Sequence, residues 1–167
     1  MTTGRAPLPF DPIQEAARLW DERWGETPRM RAVTSLMRVH QLVLTELDEL
    51  LRPLGLTFAR YEVLVLLSFS RRGALPLGKI GERLQVHATS VTPLVKRLES
   101  AGLIQRTPHP EDGRAVLASI TPEGQRVLQQ ATEAIVSARF GLASMSDEQC
   151  DDLTSLLTPA RSAAGDF

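Results

Sequence analysis

Between His87 and Arg114 the chain reads HATSVTPLVKRLESAGLIQRTPHPEDGR. Thr89, Ser90 and Thr92 place three short hydroxyls within four residues, and Lys96 and Arg97 follow one helical turn later. Asp112 and Arg114 flank a glycine at the tip of a turn-rich segment, and His87 and His109 complete the polar set. Hydroxyls of this length donate and accept hydrogen bonds at base edges or phosphate oxygens. Lysine and arginine neutralise phosphate charge. Residues of these types, carried outward together, suit a helix laid in a groove of double-stranded DNA with a basic hairpin beside it.

Other chemistry finds no support in the spacing. The run from Gly73 to Lys79 imitates a phosphate-binding loop, but Ile80 stands where a serine or threonine must reach magnesium. His40, His87 and His109 belong to different elements, and the single cysteine, Cys150, has no partner at metal-ligand spacing. No serine, histidine and aspartate can be assembled into a catalytic set. The expectation is therefore no enzyme, no cofactor and no metal. Cys150 invites a redox-sensing reading. However, it falls at the fourth position of the last helix, opposite Met145, where an apolar side chain staples a helix start, so packing is the expected role.

Charge is unevenly placed. The 167 residues carry a net charge of −1, yet residues 71–114 hold eight cations against four carboxylates. A basic middle between acidic ends marks one surface for a polyanion and another for something else. With 43% hydrophobic and 23% charged residues, the composition is that of a globular domain. No apolar run approaches a membrane span, and the first residues lack an apolar signal core. One cysteine fits a reducing compartment, so a cytoplasmic location is expected.

The elements that must position the polar set follow from periodicity and caps. Residues 1–10 read as a loose arm. Asp11-Pro12-Ile13-Gln14 starts an additional helix within 11–27, with Ile13, Ala16, Ala17, Trp20 and Trp24 on one face and Gly25 and Pro28 as its stop. A long amphipathic helix spans 29–52, with Val33, Leu36, Met37, Leu44, Leu47 and Leu51 in its stripe and His40 among them. Thr57 caps a helix through Arg72 that is apolar nearly all round and hence central. Arg71 and Arg72 suit either a helix C-terminus or a phosphate. A short helix over 78–84 and a turn at Gln85-Val86 lead into the hydroxyl-bearing helix. Leu103–Thr107 and Ala115–Ile120 read as a hairpin. Thr121-Pro122 starts a helix with an apolar face as far as Leu142, and Ser146 and Gln149 form a capping box for the last one, with Pro159 and Gly165 loosening its tail. Pro93 predicts a late helix start with Ser90 as N-cap, or a kink, because an interior proline costs up to ~3 kcal/mol.

In this order the chain resembles the MarR family of winged helix-turn-helix transcription regulators. The resemblance rests on Ile80-Gly-Glu-Arg-Leu84, Val86-His-Ala-Thr-Ser-Val-Thr92, Leu98-Glu-Ser-Ala-Gly-Leu-Ile-Gln-Arg106, Asp112-Gly-Arg114 and Ile120-Thr-Pro-Glu-Gly124, and it covers about residues 30 to 160. It implies a mainly α fold with a small β-hairpin wing: a winged helix-turn-helix domain over 57–120 flanked by dimerisation helices over 28–56 and 121–167. It further implies a homodimer on a pseudo-palindromic operator, with the recognition helix, about Ala88 to Ala101, in the major groove. The wing would lie on the minor groove, where Asp112 orients Arg114. Gly113 stands where the family often has a second arginine, which weakens the expected contact. A repressor released by a small ligand is the expected activity, with a pocket lined by Trp20, His40, Phe58 and Tyr61. The alternative is a winged-helix protein-interaction module that binds no DNA.

Overall fold

The protein is described by a computed structural model over residues 8–25, 27–71, 73–85, 88–110 and 115–167. Seven helices and three strands follow one another within these residues. Helix α1 (Pro12–Trp24) begins where Asp11 accepts hydrogen bonds from the Ile13 and Gln14 amides, and proline occupies its first position. Gly25, at φ 74°, ends it. Pro28 is not part of that stop: it is the first residue of α2 (Pro28–Leu51), the position where a missing N–H costs nothing. A single 3-10 turn over Arg52–Leu54 then reverses the chain at Gly55.

Helix α3 (Phe58–Phe69) is the centre of the molecule. It packs against α2, α4, α5, α6 and two strands, and Tyr61, Val63, Leu64 and Leu67 are buried within it. It ends at Phe69 rather than near Arg72. Its N-terminus also departs from expectation: Thr57 makes no side-chain cap, and the Phe58 amide instead donates to Asp48 Oδ1 of α2 at 2.7 Å. A carboxylate ten residues upstream meets the N-terminal dipole and ties α2 to α3 in one bond.

Three strands, not two, form the sheet. β1 (Ala74–Pro76) and β2 (Ile104–Pro108) pair antiparallel on either side of β3 (Val116–Ile120). Proline is tolerated in β1 because this is an edge strand. Helix α4 (Leu77–Leu84) leaves β1 directly, and Gln85 turns the chain at φ 51°.

Helix α5 (Ala88–Ser100) starts at Ala88 with Pro93 inside it, which overturns the expected late start at Ser90. Proline withdraws the bond to the Thr89 carbonyl, but Val91, Val95 and Leu98 are buried against the core and hold the helix regardless. The helix closes in a Schellman turn: Gly102 stands at φ 72°, its amide donates to Glu99 O at 2.9 Å, and the Leu103 amide donates to Leu98 O at 3.0 Å.

Helix α6 (Pro122–Ser137) is knitted to that turn. Thr121 Oγ1 donates to Gly102 O at 2.7 Å and accepts from the Gly124 amide at 3.0 Å, while the Thr121 amide donates to Leu103 O. A Cβ at position 124 would overlap the Leu103 carbonyl oxygen, so only glycine permits this approach. The helix stops at Ser137, short of Leu142, because Arg139 and Phe140 take left-handed backbone angles in a 3-10 turn. Helix α7 (Asp147–Ala163) carries the capping box between Ser146 and Gln149 and runs on past Pro159, contrary to the expected loosening there. It has no buried residue. Among the described residues no helix is long and apolar enough to cross a membrane.

Candidate nucleic-acid interface

Helix α5 divides cleanly by side. Val91, Val95 and Leu98 face the core, whereas Thr92, Pro93, Lys96, Arg97 and Ser100 are exposed. Thr92, Lys96 and Ser100 recur at every fourth residue, as do Pro93 and Arg97, so the five form two adjacent rows on one face. No carboxylate pairs with Lys96 or Arg97 among the described residues. Their charges stand open to solvent, while Arg106 and Lys79 are compensated by Glu99 and Glu82.

Beside the rows lies an open groove of about 480 Å³ lined by Arg60, Pro93, Lys96, Arg97, Ser100 and Ala101. Arg60 enters from the first turn of α3, where its Nη1 donates to Gly55 O at 2.8 Å and its Nε to Thr57 Oγ1 at 3.2 Å. Spacing along the chain does not single it out, since only the packing of α3 on α5 carries it there.

The hairpin is braced against the helix. Arg106 of β2 bonds Glu99 of α5 through Nε at 2.6 Å and Nη2 at 2.5 Å, with both side chains about one-third exposed. This guanidinium holds the Glu99 carboxyl below its ordinary range, and Glu99 in turn raises Arg106. At the far end the His109 amide donates to Ala115 O at 2.9 Å and continues the ladder of β2 on β3. The imidazole of His109 is thereby carried at the hairpin tip, half-buried.

Of the nine residues expected at a DNA surface, the structure places Thr92, Lys96 and Arg97 on one face and His109 at the hairpin end. Thr89 and Ser90 lie in the first turn of α5, their side chains outside the described set. His87, Asp112 and Arg114 lie outside the described residues, as does the Asp112-Gly113 turn.

The four residues of the expected pocket are only partly gathered. Phe58 and Tyr61 stack with ring centroids 5.9 Å apart, and the buried Tyr61 hydroxyl lies 3.2 Å from Thr132 Oγ1 of α6. Trp20 is exposed on α1 against Trp24, 4.7 Å away, and His40 is exposed on α2.

A model of the MarR family matches residues 56–116, from the approach to α3 to the start of β3. The organic hydroperoxide resistance transcriptional regulator of Bacillus subtilis is 36% identical over 108 residues, spanning 65% of this chain and 71% of that protein. The chain belongs to the MarR family. It is a winged helix-turn-helix transcription regulator and not an enzyme. A MarR family regulator from Streptomyces coelicolor superposes with a TM-score of 0.79 at 48% identity, covering 85% of this chain and 99% of that one. A second from the same organism, solved in complex with DNA, shares the fold at a TM-score of 0.73 and 23% identity, over 84% and 90% of the two chains.

Proposed function

We propose that this MarR family chain is a sequence-specific double-stranded DNA-binding regulator. It acts as a homodimer, with α5 in the major groove of each half of a pseudo-palindromic operator and the wing on the adjacent minor groove. The observation that carries this reading is the exposed face of α5, where Thr92, Lys96 and Arg97 stand together without a neutralising acid. A solvated helix would gain from interleaved carboxylates on that face; a face for phosphate would exclude them. That a regulator of this fold from Streptomyces coelicolor was solved on DNA agrees with it. Arg114, steered by Asp112, would supply the minor-groove contact.

In the same reading, residues 57–120 form the DNA-binding unit, and 28–56 with 121–167 supply dimer contacts. The regulator represses by occupying its operator and is released by a small ligand seated against the Phe58 and Tyr61 pair. Footprinting on the DNA flanking its own coding region tests the core of the proposal. A protected inverted repeat, lost on Arg114→Ala and on Lys96→Ala, is the expected result. Protection of no inverted repeat, or binding that does not weaken as salt rises, would leave the protein-interaction module as the better reading.

A further inference from the structure

Arg60 belongs to the central helix, yet it is only half-buried and lines the groove beside α5. Neutral acceptors aim its guanidinium: Nη1 donates to Gly55 O at 2.8 Å and Nε to Thr57 Oγ1 at 3.2 Å. Of the five N–H donors of a guanidinium, these bonds leave three. The first amide of α3 is already taken by Asp48 Oδ1, so what this helix offers to the groove is the Arg60 side chain.

Across the groove stand Lys96 and Arg97 of α5. Among the described residues no carboxylate pairs with Arg60, Lys96 or Arg97, and no acidic side chain lines the groove. Ser100 Oγ donates within its own helix, to Lys96 O at 2.9 Å, which leaves the three cations as the groove's donors. Three like charges round one groove repel one another, an arrangement that costs stability until an anion is placed between them.

The same geometry selects the kind of anion. A helix with its side chains is about 10–12 Å across, close to the roughly 12 Å width of a major groove in DNA. Helix α5 would therefore fill the groove it enters. A side chain reaching in from a neighbouring element then meets the backbone at the groove wall rather than a base edge. We propose that the groove between α3 and α5 seats one DNA backbone phosphate, held by Arg60 from one side and by Lys96 or Arg97 from the other. This rests on the DNA-binding reading above and extends it to α3, outside both the recognition helix and the wing. The contact is blind to sequence. Because Arg60 is already fixed by its bonds to Gly55 and Thr57, little rotamer freedom is lost when the phosphate arrives.

The test combines protein and DNA variants. Arg60→Gln flattens the slope of log affinity against log salt by about 0.9. It weakens binding to operator and scrambled DNA alike, by on the order of tenfold. Arg60→Lys, which keeps the charge but not the fork that holds Gly55 and Thr57, retains the slope. Duplexes with single phosphates replaced by neutral methylphosphonates locate the contact: one replacement in each half-site costs the unaltered protein more than it costs Arg60→Gln. A slope unchanged in Arg60→Gln but flattened in Lys96→Ala, or the absence of any such phosphate, overturns the α3 contact and leaves DNA binding standing. A slope lost equally in Arg60→Lys makes Arg60 a brace of the α2–α3 turn and also overturns it. If the unaltered protein shows no salt-dependent binding to DNA, the DNA-binding reading falls and this contact with it.

Discussion

Lys96 and Arg97 are placed to act through charge, and their contribution is separable from that of the hydroxyls. Each phosphate neutralised releases condensed counterions, so the dependence of log affinity on log salt has a slope of about −0.9 per contact. Lys96→Ala and Arg97→Ala should each flatten the slope by about one unit and weaken binding across all sequences. Thr92→Ala should leave the slope alone and change which base is preferred. Titration against operator and scrambled DNA at several salt concentrations separates the two effects, and an unchanged slope in both cation variants would remove them from the interface. Two glutamates show charge working on stability in opposite directions. Burial on α3 raises Glu62, so its folded form favours the proton, and stability is lost as pH rises through that raised pKa. Glu99 is lowered by Arg106, so its contribution is present above the ordinary carboxylate range and lost on acidification. Glu62→Gln should therefore raise Tm at neutral pH, with the gain vanishing as the solution is acidified below that range. Glu99→Gln should lower Tm at neutral pH, with the loss shrinking on acidification. Melting curves across pH check both signs.

At the scale of the element, Pro93 is the informative anomaly. In the interior of α5 it removes one backbone bond and crowds the Thr89 carbonyl, which together disfavour proline against alanine by ~3 kcal/mol. Proline also restricts the unfolded chain, which returns about 0.4–1 kcal/mol. Pro93→Ala should thus stabilise the protein by roughly 2 kcal/mol, seen as a higher denaturant midpoint with an unchanged m-value. Gly124→Ala should do the reverse by about 1–3 kcal/mol, because its methyl meets backbone rather than a side chain that can rotate away. These two positions also show what a linear reading can and cannot reach. The buried row Val91, Val95 and Leu98 was legible as periodicity, and with it the outward placing of Lys96 and Arg97. The caps at Asp11, Thr121 and Ser146 were legible because their partners lie within three residues. The cap on α3 was not, because Asp48 sits on another helix, ten residues away. The third strand was legible only in part: Leu75-Pro76-Leu77 reads as a short extended piece, but its pairing, Ala74 to Pro76 on Leu117 to Ser119, lies more than forty residues on. The early end of α6 escaped for a different reason, since Arg139 and Phe140 adopt positive φ without the glycine or asparagine that signals it. Proline weighed too heavily at Pro159, and at Pro93 in setting a late helix start, since a helix continues through each.

For the whole molecule, the distribution of apolar surface makes the case for a second copy. The core is built from the C-terminal half of α2, from α3 to α5, the sheet and α6. Outside it, α2 exposes Val33, Leu36, Met37, Val39 and Leu42, the last at 63%. Trp20 and Trp24 are exposed on α1, and Leu156 on α7 at 77%. Large apolar side chains exposed in number mark interaction surfaces, and these lie on the terminal helices, outside the core. A standard interface buries about 1,600 Å² in total, and apolar area returns roughly 25 cal/mol per Å² before the cost of association. A charge at the centre of such an interface is left without water or a partner, whereas the same charge on a monomer's surface is harmless. On the proposed dimer, the unaltered chain should sediment as a dimer, and Leu156→Asp should yield a folded protein with an unchanged circular dichroism spectrum that sediments as a monomer. Its affinity for an inverted repeat should fall to that for a single half-site, since the second contact is then no longer intramolecular. A variant that stays dimeric, with both half-sites bound as before, would show that α7 lies outside the interface.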